Sequence, residues 1–147
     1  MRRGSRAIVT LVCVCAGIFV GAVSSALFAQ TKPNPSGWQL PPDAETLKNP
    51  LTVDDKLLST GKAVFKDKCQ RCHGPAGKGD GEDADPDAQG DMDLTLAKRA
   101  DRNPDGVVFY KVMNGRRKPK MPVFKEELNA DQVWAVVAYV QTLRSQK

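Results

Sequence analysis

The sequence predicts an all-α fold for residues 52–147, on three observations. Three segments of this region place apolar residues at helical spacing. Residues that favour helix ends flank these segments. No two segments show the alternation of apolar and polar residues that is typical of a β-hairpin. We therefore expect a small domain of three or more helices, preceded by a leader and a linker.

Residues 1–29 have the composition of an export signal. Three arginines and no acid occur among the first six residues, and the segment from Ala7 to Ala29 carries no charge. Small residues near its end suit cleavage of a signal peptide, whereas its length would also allow a retained membrane anchor. Both outcomes predict a periplasmic or otherwise extracytoplasmic domain, with the arginines on the cytoplasmic side.

Residues 30–51 contain five of the ten prolines of the chain. Because proline fixes φ and lacks a backbone donor, this segment cannot be helical throughout, and we expect a proline-rich extended linker. Trp38 and Leu40 are candidate anchors on the domain, and a solvated tether is the alternative interpretation.

The charge of the chain gives little support to nucleic-acid binding. The formal net charge is +5, with 22 Lys and Arg against 17 Asp and Glu. Without the three arginines of the leader, 19 basic residues remain against 17 acidic ones, and the net charge falls to +2. A domain this close to neutral lacks the strong basic excess of a nucleic-acid-binding module.

The first predicted helix leads directly into the most specific motif of the sequence. Thr52, with Asp55 three residues later, indicates its start. Gly61 lies in its interior, where glycine costs up to about 1 kcal/mol relative to alanine, so we expect a packing reason for it. Apolar residues follow at helical spacing: Leu57, Leu58, Val64 and Phe65.

Cys69-Gln70-Arg71-Cys72-His73 has the C-x-x-C-H spacing by which a c-type haem is attached. Two cysteines at i and i+3 project from one helical turn and can form thioethers with both vinyl groups of the porphyrin. The histidine that follows reaches the iron as the proximal ligand. His73 is the only histidine of the chain. The sequence therefore predicts one covalently bound haem c per chain, held by Cys69, Cys72 and His73.

Two other interpretations of the two cysteines lack the sequence context that they need, and a third is structural. A thiol redox motif would be expected in a βαβ context, and a zinc site would need further ligands nearby. A disulfide between Cys69 and Cys72 is the structural alternative. The remaining cysteines, Cys13 and Cys15, lie in the apolar leader.

The segment from Gly74 to Gly90 is predicted to be a long, solvated acidic loop. It contains five glycines and two prolines, and most of its charged residues are aspartates. A calcium site at Asp83, Asp85 and Asp87 is the alternative. The glycine and the glutamate that an EF-hand loop requires are replaced by Ala88 and Leu94.

Two further helices complete the prediction. Asn103-Pro104 is a favourable start and Asn114-Gly115 a favourable stop for a short helix. Asn129, with Gln132 three residues later, predicts a capping box at the start of a last helix that reaches Leu143.

From about Asp54 to Leu143 the chain resembles the class I c-type cytochromes. The features that carry the resemblance are Gly61 and Phe65, the C-x-x-C-H motif with Gly74, Met121-Pro122, and the last helix from Trp134. The resemblance implies a cytochrome c-like all-α fold packed around one covalently bound haem.

The same resemblance implies two further contacts. The first and last helices should cross closely, with Gly61 and Phe65 against Val136 and Tyr139. The second nitrogen of the haem-ligating histidine should donate to a proline carbonyl after the motif, for which Pro75 and Pro86 are the candidates.

The second axial ligand must be a methionine, a weaker ligand or none, because the chain has no second histidine. Met113 falls inside a predicted helix, and Met92 lies among aspartates. Met121 lies in a loop between helices, is bracketed by Pro119 and Pro122, and matches the Met-Pro of the resembled family. We therefore predict that Met121 and His73 are the two iron ligands.

An iron with both axial positions filled is left with outer-sphere electron transfer, so the sequence predicts a single-electron carrier and not an enzyme. Its partners would be redox proteins with acidic docking surfaces, since basic residues surround Met121. The alternatives are a haem subunit fixed in a larger respiratory or dehydrogenase complex, and a haem sensor or catalyst with an open iron site. The basic residues are Arg116, Arg117, Lys118, Lys120 and Lys125.

Overall fold

The computed structural model describes residues 37–144, so the predicted signal or anchor at 1–29 lies outside the described residues. The described part of the chain is all-α, as predicted. Short 3₁₀ turns precede α3 and α4, and none of the helices in this range is long and apolar enough to cross a membrane. The helices are α1 (Asp55–Lys68), α2 (Gln70–His73), α3 (Gln89–Met92), α4 (Asp105–Asn114) and α5 (Ala130–Leu143).

Two of the three long helices begin differently from the sequence expectation. The cap of α1 is Asp54 and not Thr52, because the Asp54 carboxylate accepts from Leu57 N at 2.7 Å. The cap of α4 is Pro104 and not Asn103. The Asn103 side chain instead donates to a backbone carbonyl four residues earlier, at 2.8 Å. The sequence expectation differs from the structure because several residues that can cap a helix lie within a few positions of each start.

The predicted capping box of α5 is confirmed. Gln132 N donates to Asn129 Oδ1 at 2.9 Å, and Asn129 N donates to Gln132 Oε1 at 3.0 Å. The end of α4 at Asn114 is also confirmed, with Gly115 following at a φ of 61°. Such a left-handed conformation favours glycine, which has no Cβ.

Helices α1 and α5 cross at Gly61, which explains a glycine in the middle of a helix. A Cβ at Gly61 would lie 2.1 Å from the Ala135 carbonyl oxygen and 2.9 Å from Tyr139 Cβ. One turn later the ring of Phe65 packs against that of Tyr139, with centroids 5.3 Å apart. The expected close crossing is present, and Ala135 rather than Val136 faces Gly61.

The core is built mainly from α1, α4 and α5. Phe109 of α4 stacks on Trp134 of α5, with ring centroids 4.2 Å apart. The buried cluster includes Val64, Phe65, Val108, Val112, Phe124, Leu128, Val133, Trp134, Val136, Val137, Val140 and Leu143.

Residues 37–51, the described part of the expected linker, pack against this core. Ala44 is 1% exposed, and Leu47 and Leu51 lie against the core cluster. Gly106 N donates to the Leu47 carbonyl at 3.0 Å. This part of the segment is therefore not a solvated tether.

The crossing gives a test of the fold. Gly61→Ala should destabilise the protein by about 1–3 kcal/mol, because the new methyl group meets backbone atoms that cannot rotate away. Chemical denaturation followed by circular dichroism measures this loss. Gly90→Ala is the matched control, since no atom lies within 4 Å of a Cβ there. Equal stability of the two variants would contradict the close crossing.

Candidate functional site

The C-x-x-C-H motif continues directly from the end of α1. Cys69 ends α1, its N–H donating to the Phe65 carbonyl at 2.9 Å, and α2 carries the rest of the motif. His73 N donates to the Cys69 carbonyl at 2.9 Å. Both cysteines and the histidine therefore share one helical turn, the arrangement that attachment of a single haem requires.

Cys69 and Cys72 are free thiols in the structure, so the disulfide alternative receives no support. Burial, with smaller effects of Cys72 and Asp67, raises the pKa of Cys69 to about 12. Burial also raises the pKa of Cys72. Thiols of redox motifs and nucleophiles usually have lowered pKa values, so this environment does not favour the thiol redox interpretation.

The imidazole of His73 is held by a backbone carbonyl. Its Nδ1 lies 2.7 Å from the carbonyl oxygen of Met92, and because that oxygen only accepts, Nδ1 carries the proton. Nε2 is then left as the ligating nitrogen. Burial lowers the pKa of His73 against the opposing effect of this hydrogen bond, which favours the neutral, metal-ligating form.

The expectation of a proline carbonyl at this position, from Pro75 or Pro86, is wrong. The chain after the motif turns back at Gly77 and Gly79, both with a φ of 74°. Gly79 N donates to the His73 carbonyl at 2.8 Å, and Leu94 N donates to the Gly77 carbonyl at 2.7 Å. This reversal brings the end of α3 over His73, so that Met92 supplies the acceptor.

One cavity of about 920 Å³ lies next to the motif, and Cys69, His73 and Met121 all line it. Cys72 is half-buried in the same helical turn but is not among the lining residues. The volume is within the usual range for a cofactor pocket. Its apolar wall is formed by Phe65, Leu94, Val107, Val108, Val112, Val136 and Val140.

The three candidate methionines have different positions. Met113 packs against the core cluster, and Met92 is buried on α3; neither lines the cavity. Met121 lines it, in a loop held by a two-way backbone bridge. Met121 N donates to the Arg116 carbonyl at 2.8 Å, and Arg116 N donates to the Met121 carbonyl at 2.9 Å. The thioether that the sequence singled out is thus the one beside the cavity.

Besides its apolar wall, the cavity has a basic wall. The sequence analysis named only Arg116 and Lys118 among its residues, and placed them on the surface beside Met121. The Nε atom of Arg144 is buried without a hydrogen-bond partner. Burial, and then the charges of Arg116, Arg144 and Arg99, lower the pKa of Lys111 to about 8. The basic wall consists of Arg99, Arg102, Lys111, Arg116, Lys118 and Arg144.

This cavity fits a haem, on two grounds. A porphyrin is a large apolar body with two carboxylate groups, and the cavity combines an apolar wall with basic side chains, among them Arg144, whose buried Nε atom has no hydrogen-bond partner. Cys69 and Cys72 would hold the porphyrin, and His73 and Met121 would ligate the iron. No local motif joins Arg99, Arg102, Lys111 and Arg144 to the basic run at Arg116, which is why sequence reasoning did not find these four residues.

Other metal sites find no support in the part of the chain that the structure describes. No three His, Cys, Asp or Glu side chains of residues 37–144 are grouped as metal ligands. In the acidic segment, Glu82 and Asp83 form ion pairs with Arg71 at 3.1 Å and 2.9 Å.

Comparison with known proteins places these features in a family. The cytochrome c family model matches residues 58–144. Among solved structures, a chain of the Kuenenia stuttgartiensis reducing HAO-like protein complex Kustc0457/Kustc0458 is 28% identical, with a TM-score of 0.51. The alignment covers 64% of this chain and 46% of that chain, so it spans less than half of the relative's length. No curated protein matches.

The family match covers more than half of the chain and includes the C-x-x-C-H motif, Met121 and the crossing of α1 with α5. The chain belongs to the cytochrome c family, and covalently bound haem c is its cofactor.

Proposed function

We propose that the protein is an exported, monohaem class I c-type cytochrome that carries single electrons between redox partners and is not itself an enzyme. The observation that carries this proposal is the meeting of Cys69, His73 and Met121 at one cavity. Cys69 and Cys72 form the thioethers, and His73 and Met121 ligate the iron. The leader supports an extracytoplasmic, periplasmic location, with the N-terminal segment as signal or membrane tether.

The bound haem supplies a one-electron couple, and the chain determines how that couple behaves. The Met92 carbonyl fixes the His73 ring and increases the basicity of Nε2. The soft thioether of Met121 favours ferrous iron and raises the reduction potential. With His73 and Met121 as its two ligands from the chain, the iron would have no position free for oxygen or peroxide, as a carrier requires.

The surface beside Met121 supports docking of acidic redox partners. Arg117, Lys118, Lys120 and Lys125 are exposed there. Arg116 differs from the other basic residues of this run, because its side chain is only 10% exposed and contacts Asp91. The exposed cations would steer a partner through long-range attraction and form a small, salt-sensitive interface.

A haem subunit fixed in a larger complex is the second candidate. The structural neighbour belongs to a complex of two named components, which favours this alternative. Purification from native membranes and periplasm distinguishes the mobile carrier from the fixed subunit, because a fixed subunit remains in a constant ratio with its partner through gel filtration.

Haem attachment is tested by extraction. We expect protein matured in a host with haem-ligation machinery to keep its colour when acidified organic solvent is added. The double variant Cys69→Ser, Cys72→Ser should release any haem it has bound, because no thioether remains. A colourless wild-type protein would contradict the cofactor assignment.

Met121 ligation is tested by substitution. Met121→Ala should abolish the sulfur-to-iron charge-transfer band of the ferric protein and allow carbon monoxide to bind the ferrous form. It should also lower the reduction potential by roughly 0.1–0.3 V, within the range of about 0.8 V that axial ligands set. Visible spectroscopy and redox titration measure these changes.

Met113→Leu is the matched control, because Met113 packs in the core and the substitution nearly conserves volume. It should keep the band and the potential of the wild type. Carbon monoxide binding by the wild-type protein at neutral pH would instead favour the open-site sensor or catalyst.

The docking surface is tested by charge neutralisation. Arg117→Gln with Lys120→Gln should slow electron transfer to an acidic partner several-fold at low salt, and the difference should shrink at high salt. Lys56→Gln with Lys62→Gln is the control, since these exposed residues of α1 do not line the cavity. Rates measured by stopped flow that are independent of ionic strength would contradict steering.

A further inference from the structure

Residues 37–49 run along the length of α4 and contact both of its ends. At the start of α4, Asn49 N donates to an Asp105 carboxylate oxygen at 3.3 Å, and Gly106 N donates to the Leu47 carbonyl. At its end, the Asn114 side chain donates to the Gln39 carbonyl at 3.3 Å. This segment precedes the residues that the family model matches, which begin at residue 58.

Close contacts hold this segment against α4 and α5. A Cβ at Gly106 would be 2.5 Å from the Ala44 carbonyl oxygen and 2.6 Å from Leu47 Cβ. The Asn49 side chain donates to the Trp134 carbonyl of α5 at 3.0 Å. Ala44, whose carbonyl oxygen faces Gly106, is buried. The path of the segment over α4 is therefore fixed by close packing.

Trp38, near the N-terminal end of the segment, stacks on two cations of the basic wall. The Lys111 ammonium is 4.9 Å, and the Arg116 guanidinium 4.4 Å, from the centre of a Trp38 ring. These are cation–π distances. All three residues line the cavity, and Leu40 and Glu45 of the same segment line it too.

We propose that residues 37–49 form a strap that completes the haem site, with Trp38 as the residue that closes the cavity at its basic wall. The strap keeps water from that edge of the haem and positions Lys111 and Arg116. This inference rests on the haem cofactor but does not depend on the carrier role or on Met121 as ligand.

Closure by the strap has a defined consequence for the iron. Ferric haem carries one more positive charge than ferrous haem, so a dry environment and fixed cations both disfavour the ferric form. Opening the site to water weakens both effects. The reduction potential should therefore fall when the strap no longer covers the cavity.

Trp38→Ala tests the strap. We expect a lower reduction potential in a mediated redox titration, and a larger response of the haem absorption to added ethylene glycol, because more of the haem edge meets solvent. Trp38→Phe keeps an aromatic ring over the two cations and should lie close to the wild type. Val53→Ala, at an exposed residue outside the cavity, is the control for a neutral truncation.

Leu40→Ala provides a second measurement should Trp38→Ala fail to mature, since Leu40 lines the same cavity and is only half-buried. Haem-loaded Trp38→Ala and Leu40→Ala with the potential and solvent response of the wild type would overturn the strap. That result leaves the cytochrome assignment intact, whereas a wild-type protein without covalent haem would end both.

Discussion

The close approach of α1 to α5 is the constraint on which the rest of the site depends. The Ala135 carbonyl occupies the space that a side chain at Gly61 would need. Because α1 carries Cys69 at its end and α5 contributes Val136 and Val140 to the cavity wall, this distance fixes the haem attachment point relative to the opposite side of the pocket. A residue without a side chain thus sets the position of the attachment motif relative to that wall of the cavity.

The second constraint is the turn after the C-x-x-C-H motif, which brings the chain back toward His73. A Cβ at Gly79 would lie 2.8 Å from the Gln89 carbonyl oxygen and about as close to the backbone of residues 92 and 93. The close packing of these backbones brings the Met92 carbonyl within 2.7 Å of His73 Nδ1. The glycines of the acidic segment therefore orient the proximal ligand, although the sequence indicated only a solvated loop for them.

The sequence predicted those features of the fold that depend on interactions between residues close together in the chain. Helical spacing, the capping box at Asn129 and the turn of Cys69 to His73 involve residues within a few positions of each other, so the sequence displays them directly. The acceptor for His73 lies 19 residues away. The strap contacts residues more than 50 positions later, such as Asp105 for Asn49. Such contacts arise from tertiary packing, and no short motif records them.

Packing divides the basic residues near Met121 into a group that lines the cavity and a group that is exposed to solvent. The sequence predicts one exposed basic patch from Arg116 to Lys120. In the structure Arg116 contacts Trp38 and Asp91, whereas Arg117 and Lys120 are exposed. Lys111, whose pKa is lowered mainly by burial, belongs with the inward group. One set of cations therefore lines the cavity, where it would meet the carboxylates of a bound haem, and another faces solvent. The inward set, which lines the cavity, would therefore change the reduction potential, and the outward set would change the rate of encounter with a partner.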